Sequence, residues 1–235
     1  MDVPLPISTY VATLQIPETI THVKLDIGLG EYNINSVNWL KYEKNLLVFM
    51  IDPNGLNKDP ATRAKHQIEH PDTMHPTNMY YELPIAIADI ETPTHLTFYK
   101  MTKDAGTSSL YEPKDPRLGP VAERIITPAY SLKHFFDVFP WDRFPYIEYI
   151  KIDAQGADLD IIKSAGNYLR DRVVFITAEP EAQQYKGCTH NTQKNMSDYL
   201  TTQGFVQIKH PRTNDPTFVN SKFKEQAENI YLYQI

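Results

Sequence analysis

Three short stretches carry acids and glycines at spacings that can do chemistry. Asp26-Ile-Gly-Leu-Gly30 closes an apolar run that begins at His22-Val-Lys-Leu. Two glycines one residue apart let a ligand approach the backbone, and a helix N-terminus is expected to follow. Asp52 ends a second apolar run, Leu46-Leu-Val-Phe-Met-Ile51, and lies 22 residues beyond Gly30. An acid about 20 residues past such glycines can accept hydrogen bonds from both hydroxyls of a ribose. The third stretch is Tyr149-Ile-Lys-Ile-Asp-Ala-Gln-Gly-Ala-Asp158, where Lys151 and Asp153 stand two residues apart at a strand end.

The first stretch discriminates between cofactors. A dinucleotide fingerprint needs a third glycine where this chain has Asn33. Asp26 would also repel a pyrophosphate and attract a ligand ammonium. S-adenosylmethionine carries an ammonium and a sulfonium and no phosphate, so Asp26 argues for it over NAD. On this reading Asp26, Gly28, Gly30, Asp52 and Ala88 are the cofactor contacts.

The elements that must position these residues are legible as an alternation. Buried strands are expected over residues 23–27, 46–51, 83–88, 149–152 and 173–178, with helices over 33–42, 61–69, 131–139, 157–169 and 193–203. Residues 96–101 read as an added antiparallel strand. Residues 102–117 form a loop around Gly106-Thr-Ser-Ser109, and long loops with small polar residues are often functional. Residues 205–209 and 229–234 form a terminal antiparallel pair. Continuous apolar runs ending at turns suit parallel strands buried on both faces. The expectation is an α/β doubly wound, Rossmann-like sheet, mostly parallel with an antiparallel terminal strand. Residues 1–21 are an N-terminal arm, and 22–235 one catalytic domain.

Composition narrows the partners. Hydrophobic residues make up 41% of 235, and the net charge is −6. A chain that binds phosphates needs a basic face. The nearest candidate, Lys209, Arg212, Lys222 and Lys224, reads as a solvated loop, so nucleic acid and anionic membrane are disfavoured. No apolar run reaches the ~20 residues of a membrane span. The lone Cys188 fits a reducing compartment, and the N-terminus does not read as a signal peptide, so the expected location is cytoplasmic. The sequon at Asn195 is then a chance match.

Residues 150–166, Ile-Lys-Ile-Asp-Ala-Gln-Gly-Ala-Asp-Leu-Asp-Ile-Ile-Lys-Ser-Ala-Gly, resemble the signature of the FkbM-type methyltransferases, approximately Leu-Lys-Ile-Asp-Val-Glu-Gly-Ala-Glu followed by an apolar helix and Gly. Leu25-Asp-Ile-Gly28 resembles that family's first motif, and Met50-Ile-Asp-Pro-Asn54 its second. Ala86-Ile-Ala-Asp89, Gly106-Thr-Ser-Ser-Leu110, Ser131-Leu-Lys-His-Phe-Phe136 and Ile176-Thr-Ala-Glu179 resemble later segments in order. The resemblance spans roughly residues 22 to 210. It implies a class I fold using S-adenosylmethionine to methylate a hydroxyl, with sugars, glycans and secondary metabolites as acceptors. Three residues depart from the pattern. Gly30 and Tyr32 replace an Asn and a Gly, and Gln155 replaces a Glu.

Methyl transfer aligns an acceptor oxygen with the methyl and excludes water. A sugar hydroxyl is a poor nucleophile, so a base or a metal helps. Asp153 is the candidate base. Lys151 points to the same face and can hold Asp153 ionised. Glu179 ends the neighbouring strand, so Asp153 and Glu179 can share Mg²⁺ or Mn²⁺, with Asp158 or Gln155 nearby. His134 competes as a base. His66, His70 and His75 suit a solvated helix and loop better than zinc, and Cys188 with His190 shows no triad pattern. Trp141 and Tyr111 are candidate stacking surfaces for a sugar ring. The acceptor is read as a sugar or glycan hydroxyl. The rival readings are a lipid or polyketide hydroxyl, and a degenerate fold kept for binding.

Overall fold

The computed structural model describes residues 4–11, 14–30, 34–55, 74–210 and 213–230. The chain runs α1 (Ser8–Val11), β1 (His22–Ile27), α2 (Ile34–Tyr42), β2 (Leu46–Ile51), β3 (Met79–Leu83), β4 (Ala86–Ile87), β5 (Thr94–Met101) and β6 (Val121–Tyr130). It continues with α3 (Leu132–Asp137), β7 (Ile147–Ile152), α4 (Asp158–Lys163), α5 (Asn167–Arg172), β8 (Val173–Ala178), α6 (Gln193–Thr202), β9 (Phe205–Ile208), β10 (Thr217–Asn220) and α7 (Lys224–Ala227). No helix among the described residues is long and apolar enough to cross a membrane.

Seven strands form one sheet in the order β3-β2-β1-β7-β8-β10-β9. The first five are mutually parallel, and β10 is antiparallel to both neighbours. β2, β7 and β8 are buried along their whole length. Side-chain alternation divides them between two cores, one on each face. Leu47 and Phe49 pack with Leu25 and Ile150 on one, and Leu46, Val48 and Met50 pack with Trp39 and Tyr149 on the other. The chain crosses from β1 to β2 on one side and returns to β7 on the other. That order places a ligand crevice beyond the carboxyl end of β1. The sheet is the expected Rossmann-like methyltransferase architecture.

Four local expectations need correction. Residues 83–88 are not one strand: the chain leaves the large sheet at Leu83, and Ala86–Ile87 joins a separate three-stranded sheet, β4-β6-β5. β6 was absent from the sequence reading, and the antiparallel strand expected near residue 96 pairs with it. The helix expected over 157–169 is split, because Gly166 turns left-handed at φ +58° between α4 and α5. β9 pairs with β10, a strand that the sequence reading lacks, and most of the 229–234 segment expected as its partner lies outside the described residues. Residues 231–235 lie outside the described residues, as do Tyr32, Asn33, His66, His70, Arg212 and the helix expected over 61–69.

The Ser131 cap is as expected. Ser131 Oγ accepts the His134 N–H at 3.1 Å, and the His134 ring accepts the Ser131 N–H at 3.0 Å. His134 is therefore a capping residue, and the competing-base role falls away. At the N-terminal end, Ile7, Val11 and Ile20 join the larger core. Arg143 reaches the carbonyls of Ile16, Pro17 and Ile20.

At the edge of the sheet opposite the crevice, His22, Lys24, Glu43 and Glu148 form a charge network. His22 Nδ1 lies 3.0 Å from Glu148 Oε2, and Nε2 lies 2.9 Å from the Lys44 carbonyl. Both partners are acceptors, so both ring nitrogens carry protons. Burial alone would lower the imidazole pKa, but the hydrogen bond and charge of Glu148, with Glu43, push it upward on balance. Lys24 donates to Glu43 at 2.6 Å. Its ammonium neutralises a group that would otherwise offer three ligands to a metal. A pKa raised by folding contributes stability that is complete below the unfolded value and lost as pH rises through the folded one. Melting temperatures of wild type and His22→Gln across pH 6 to 9 should show it. The wild-type advantage is greatest below about pH 6.5 and shrinks above it.

Candidate active site

The turn after β1 is built against β7. Gly28 has φ +78°, and a Cβ there would lie 1.9 Å from the Asp153 carbonyl oxygen. The Gly28 N–H donates to the Ile51 carbonyl and the Asp153 N–H to the Ile27 carbonyl, both at 2.9 Å. Gly30 has φ +58° and faces the Gly106 Cα, so the loop after β5 rests on this turn. Beside it runs a cleft with apolar walls from Ile51, Ile85, Ile87 and Phe98, and with Asp52 and Asp153 on its polar side.

Asp52 stands where the sequence placed it. Its Oδ2 accepts the Leu29 N–H at 2.9 Å and its Oδ1 the Asn54 N–H at 2.7 Å. Burial pushes its carboxyl up to about 6 against those hydrogen bonds. Asp26 is placed differently from the other candidates. It is 1% exposed beneath the turn, and its Oδ2 accepts both the N–H and the hydroxyl of Ser36 near the start of α2. Burial raises it to about 6 as well. The Ala88 N–H is spent on the Tyr130 carbonyl, and its neighbours Ala86 and Ile87 line the cleft.

Lys151, Asp153 and Glu179 come together. Lys151 Nζ lies 3.5 Å from Asp153 Oδ2, and Gln155 Nε2 donates to Asp153 Oδ1 at 2.7 Å. Burial would lower the Lys151 pKa, but Asp153, Asp26, Asp158 and Asp215 push it up on balance, so it stays an ammonium. Glu179 is pushed up to about 8 by burial and by Asp153, to which it hydrogen-bonds. Near neutral pH Glu179 therefore carries a proton and faces Asp153 as a donor. Asp158, wholly buried, is raised to about 7 by burial and by Asp153, and its Oδ1 accepts the Glu179 N–H at 3.1 Å. The donor set does not fit a metal bridge between Asp153 and Glu179. Both Asp153 oxygens already face donors, and an ammonium stands where a cation would approach.

The roof was not foreseen. The loops 102–118 and 179–192 are joined by backbone bonds, Lys114 N–H to the Gln184 carbonyl and Lys186 N–H to the Glu112 carbonyl, at 2.9 and 2.8 Å. Tyr185, fully buried, donates from beneath toward the Thr107 carbonyl at 2.8 Å and Gln155 Oε1 at 2.9 Å. Between roof and turn lies a second, polar cleft lined by Asp104, Asp153, Gln155, Glu179, Glu181 and Gln184.

Other candidates are drawn elsewhere. Trp141 stacks on Tyr168 with centroids 5.6 Å apart, and its indole N–H holds the Phe136 carbonyl. Tyr111 binds Asp160, whose other oxygen lies 2.8 Å from His190. Cys188 is buried against the Tyr185 carbonyl, and burial raises its thiol, so it is no nucleophile. His75 is tied to Thr77 within a turn.

A doubly wound sheet with a glycine turn and an acid-ringed cleft at its switch point defines a Rossmann-like methyltransferase fold. The family model described as "Methyltransferase FkbM domain" matches residues 31–206. The chain belongs to that family, and membership assigns it to methyl transfer. No curated relative and no solved structure matches it.

Proposed function

We propose that this chain is an S-adenosylmethionine-dependent O-methyltransferase acting on a sugar or glycan hydroxyl. The observation that carries this reading is the ring of acids around the Gly28 turn. Asp52 and Asp153 line a cleft at the end of β1 and Asp26 is buried beneath the turn, so that a phosphate would be repelled there and a cationic cofactor attracted. The residues present fit that cofactor. The space left by Gly28 and Gly30 admits a ligand to the backbone. Asp52, fixed by two N–H groups, keeps lone pairs for ribose hydroxyls. The segment ending at Ala88 supplies apolar wall. Asp26 acts from beneath the turn through its charge.

When bound, S-adenosylmethionine supplies an electrophilic methyl group on a sulfonium. The chain's own residues deal with the acceptor's proton. Asp153 receives it, Lys151 keeps Asp153 ionised beforehand, and Glu179 donates to Asp153 and orients it. The polar second cleft favours a hydroxyl-rich acceptor over a lipid, and the intact acids weigh against a degenerate binding module.

Titration calorimetry with S-adenosylhomocysteine tests the reading. Wild type should bind at micromolar concentrations. Asp52→Ala should bind roughly 100-fold more weakly, as expected for the loss of two hydrogen bonds to a charged acceptor. Because Asp52 is raised to about 6, affinity should fall as pH drops below that value. Mg²⁺ or Mn²⁺ should change neither result. No binding by wild type under any of these conditions would sink the proposal.

A further inference from the structure

The surroundings of Gln155 give it work that a Glu cannot do. Its backbone is left-handed at φ +52°, and Gly156 follows at +96°. Such a turn suits glycine, and a side chain kept there costs energy. Ser109 Oγ holds the Gln155 carbonyl at 2.7 Å, which fixes the turn. The residue is 9% exposed, and its side chain spans two partners, Asp153 at 2.7 Å through Nε2 and Tyr185 at 2.9 Å through Oε1.

We propose that Gln155 is the positioning residue for Asp153. Its amide holds the carboxylate while ionised and turns over to hold it once protonated, with Tyr185 and the Thr107 carbonyl absorbing the change. This rests on the reading of Asp153 as the proton acceptor.

Hydrogen counting carries the argument. With Asp153 ionised, Gln155 N–H donates to it. Tyr185 then has one hydrogen for two acceptors, Gln155 Oε1 and the Thr107 carbonyl. When the acceptor hydroxyl gives its proton to Asp153, Oδ1 can become a donor, and the amide N–H would face it donor to donor. Rotating the amide by half a turn puts Oε1 on the new O–H and Nε2 on the Tyr185 oxygen. Tyr185 then gives its hydrogen to Thr107 alone, and every group is paired. The proton leaves Asp153 to solvent, to which this side chain is one-third exposed (33%). A Glu at 155 has no N–H to give and would place a second carboxyl 2.7 Å from Asp153.

The test reads the amide itself. In protein labelled with ¹⁵N-glutamine and ¹³C-aspartate, Gln155→Leu and Asp153→Asn assign the two resonances, and both are followed from pH 4 to 9. The Gln155 amide should shift with the same midpoint as the Asp153 carboxyl. Lys151, Glu179, Asp26, Asp52, Asp158 and Glu181 all face Asp153 electrostatically. Their titration moves its resonance too, whereas the amide hydrogen-bonds Asp153 and so reports on it. Gln155→Glu should raise the Asp153 midpoint by about one pH unit or more. Tyr185→Phe, which removes the partner of the rotated amide, should lower it. A wild-type amide that stays flat through the Asp153 titration overturns the inference, as do variants that leave the midpoint unmoved. If S-adenosylhomocysteine binds and the amide is flat, Gln155 alone is misassigned. If nothing binds and the amide follows Asp153, the proton linkage stands and the methyltransferase reading fails.

Discussion

Gly28→Ala should destabilise the protein by roughly 3–5 kcal/mol and abolish S-adenosylhomocysteine binding. Two independent costs meet at this residue. The φ of +78° is a conformation that L side chains rarely adopt. The added methyl would also lie 1.9 Å from the Asp153 oxygen and 2.6 Å from its carbonyl carbon. Both are backbone atoms, held by the bond from Asp153 to Ile27 and by the register of β1 on β7. No rotamer can relieve the clash; one strand end must move. Gly30→Ala is the control. Its Cβ would meet the Gly106 Cα at 3.5 Å, an ordinary contact, so it keeps the left-handed cost of roughly 1–2 kcal/mol without the collision. Urea midpoints for both variants, with calorimetry on whichever folds, check the difference. Equal midpoints would mean that β1 and β7 do not meet at Gly28 as described.

What the sequence reveals divides along the same physical line. The central strands are long apolar runs ended by an acid or a glycine, so β1, β2, β7 and β8 are readable with Asp52 and Asp153 at their ends. Ser131 and His134 lie three residues apart ahead of an apolar stretch, and the cap follows. β6 was missed because Val121-Ala-Glu-Arg-Ile-Ile-Thr-Pro-Ala-Tyr130 has a mostly exposed face and contains Pro128. Its strand character comes from β5, which pairs with it over nearly its whole length. β10 escaped the sequence reading for a related reason, since Thr217–Asn220 is a four-residue strand whose pairing depends on tertiary context. Within the site, residues two apart on one strand were foreseen as neighbours, as Lys151 and Asp153 prove to be. Tyr185 and Gln155 are 30 residues apart and meet only because two loops are joined over the crevice. Nothing local marks that contact. The departure of Gln155 from the motif that residues 150–166 resemble was the one signal, and it gave the position without the role.

Asp153→Asn should lower methyl transfer by about 10²- to 10⁴-fold, the usual worth of a positioned general base. S-adenosylhomocysteine affinity should stay within a few-fold of wild type. The separation follows from how Asp153 is used. Its backbone carbonyl packs on Gly28 and its N–H holds Ile27, and both survive the substitution. Its side chain points among Lys151, Gln155 and Glu179, where an amide fits but cannot accept a proton near neutral pH. The rate is measured as S-adenosylhomocysteine released on whichever member of a sugar and glycan panel wild type methylates. Glu179→Gln separates the two acids. Glu179 is raised to about 8 and is already a neutral donor to Asp153 at pH 7. An amide reproduces that donor, so this variant should lose less than about tenfold, a loss well below that of removing the base itself. Were the losses reversed, Glu179 would be the proton acceptor and Asp153 the group that orients it, because the carboxyl that must be ionised is the one whose amide variant loses activity.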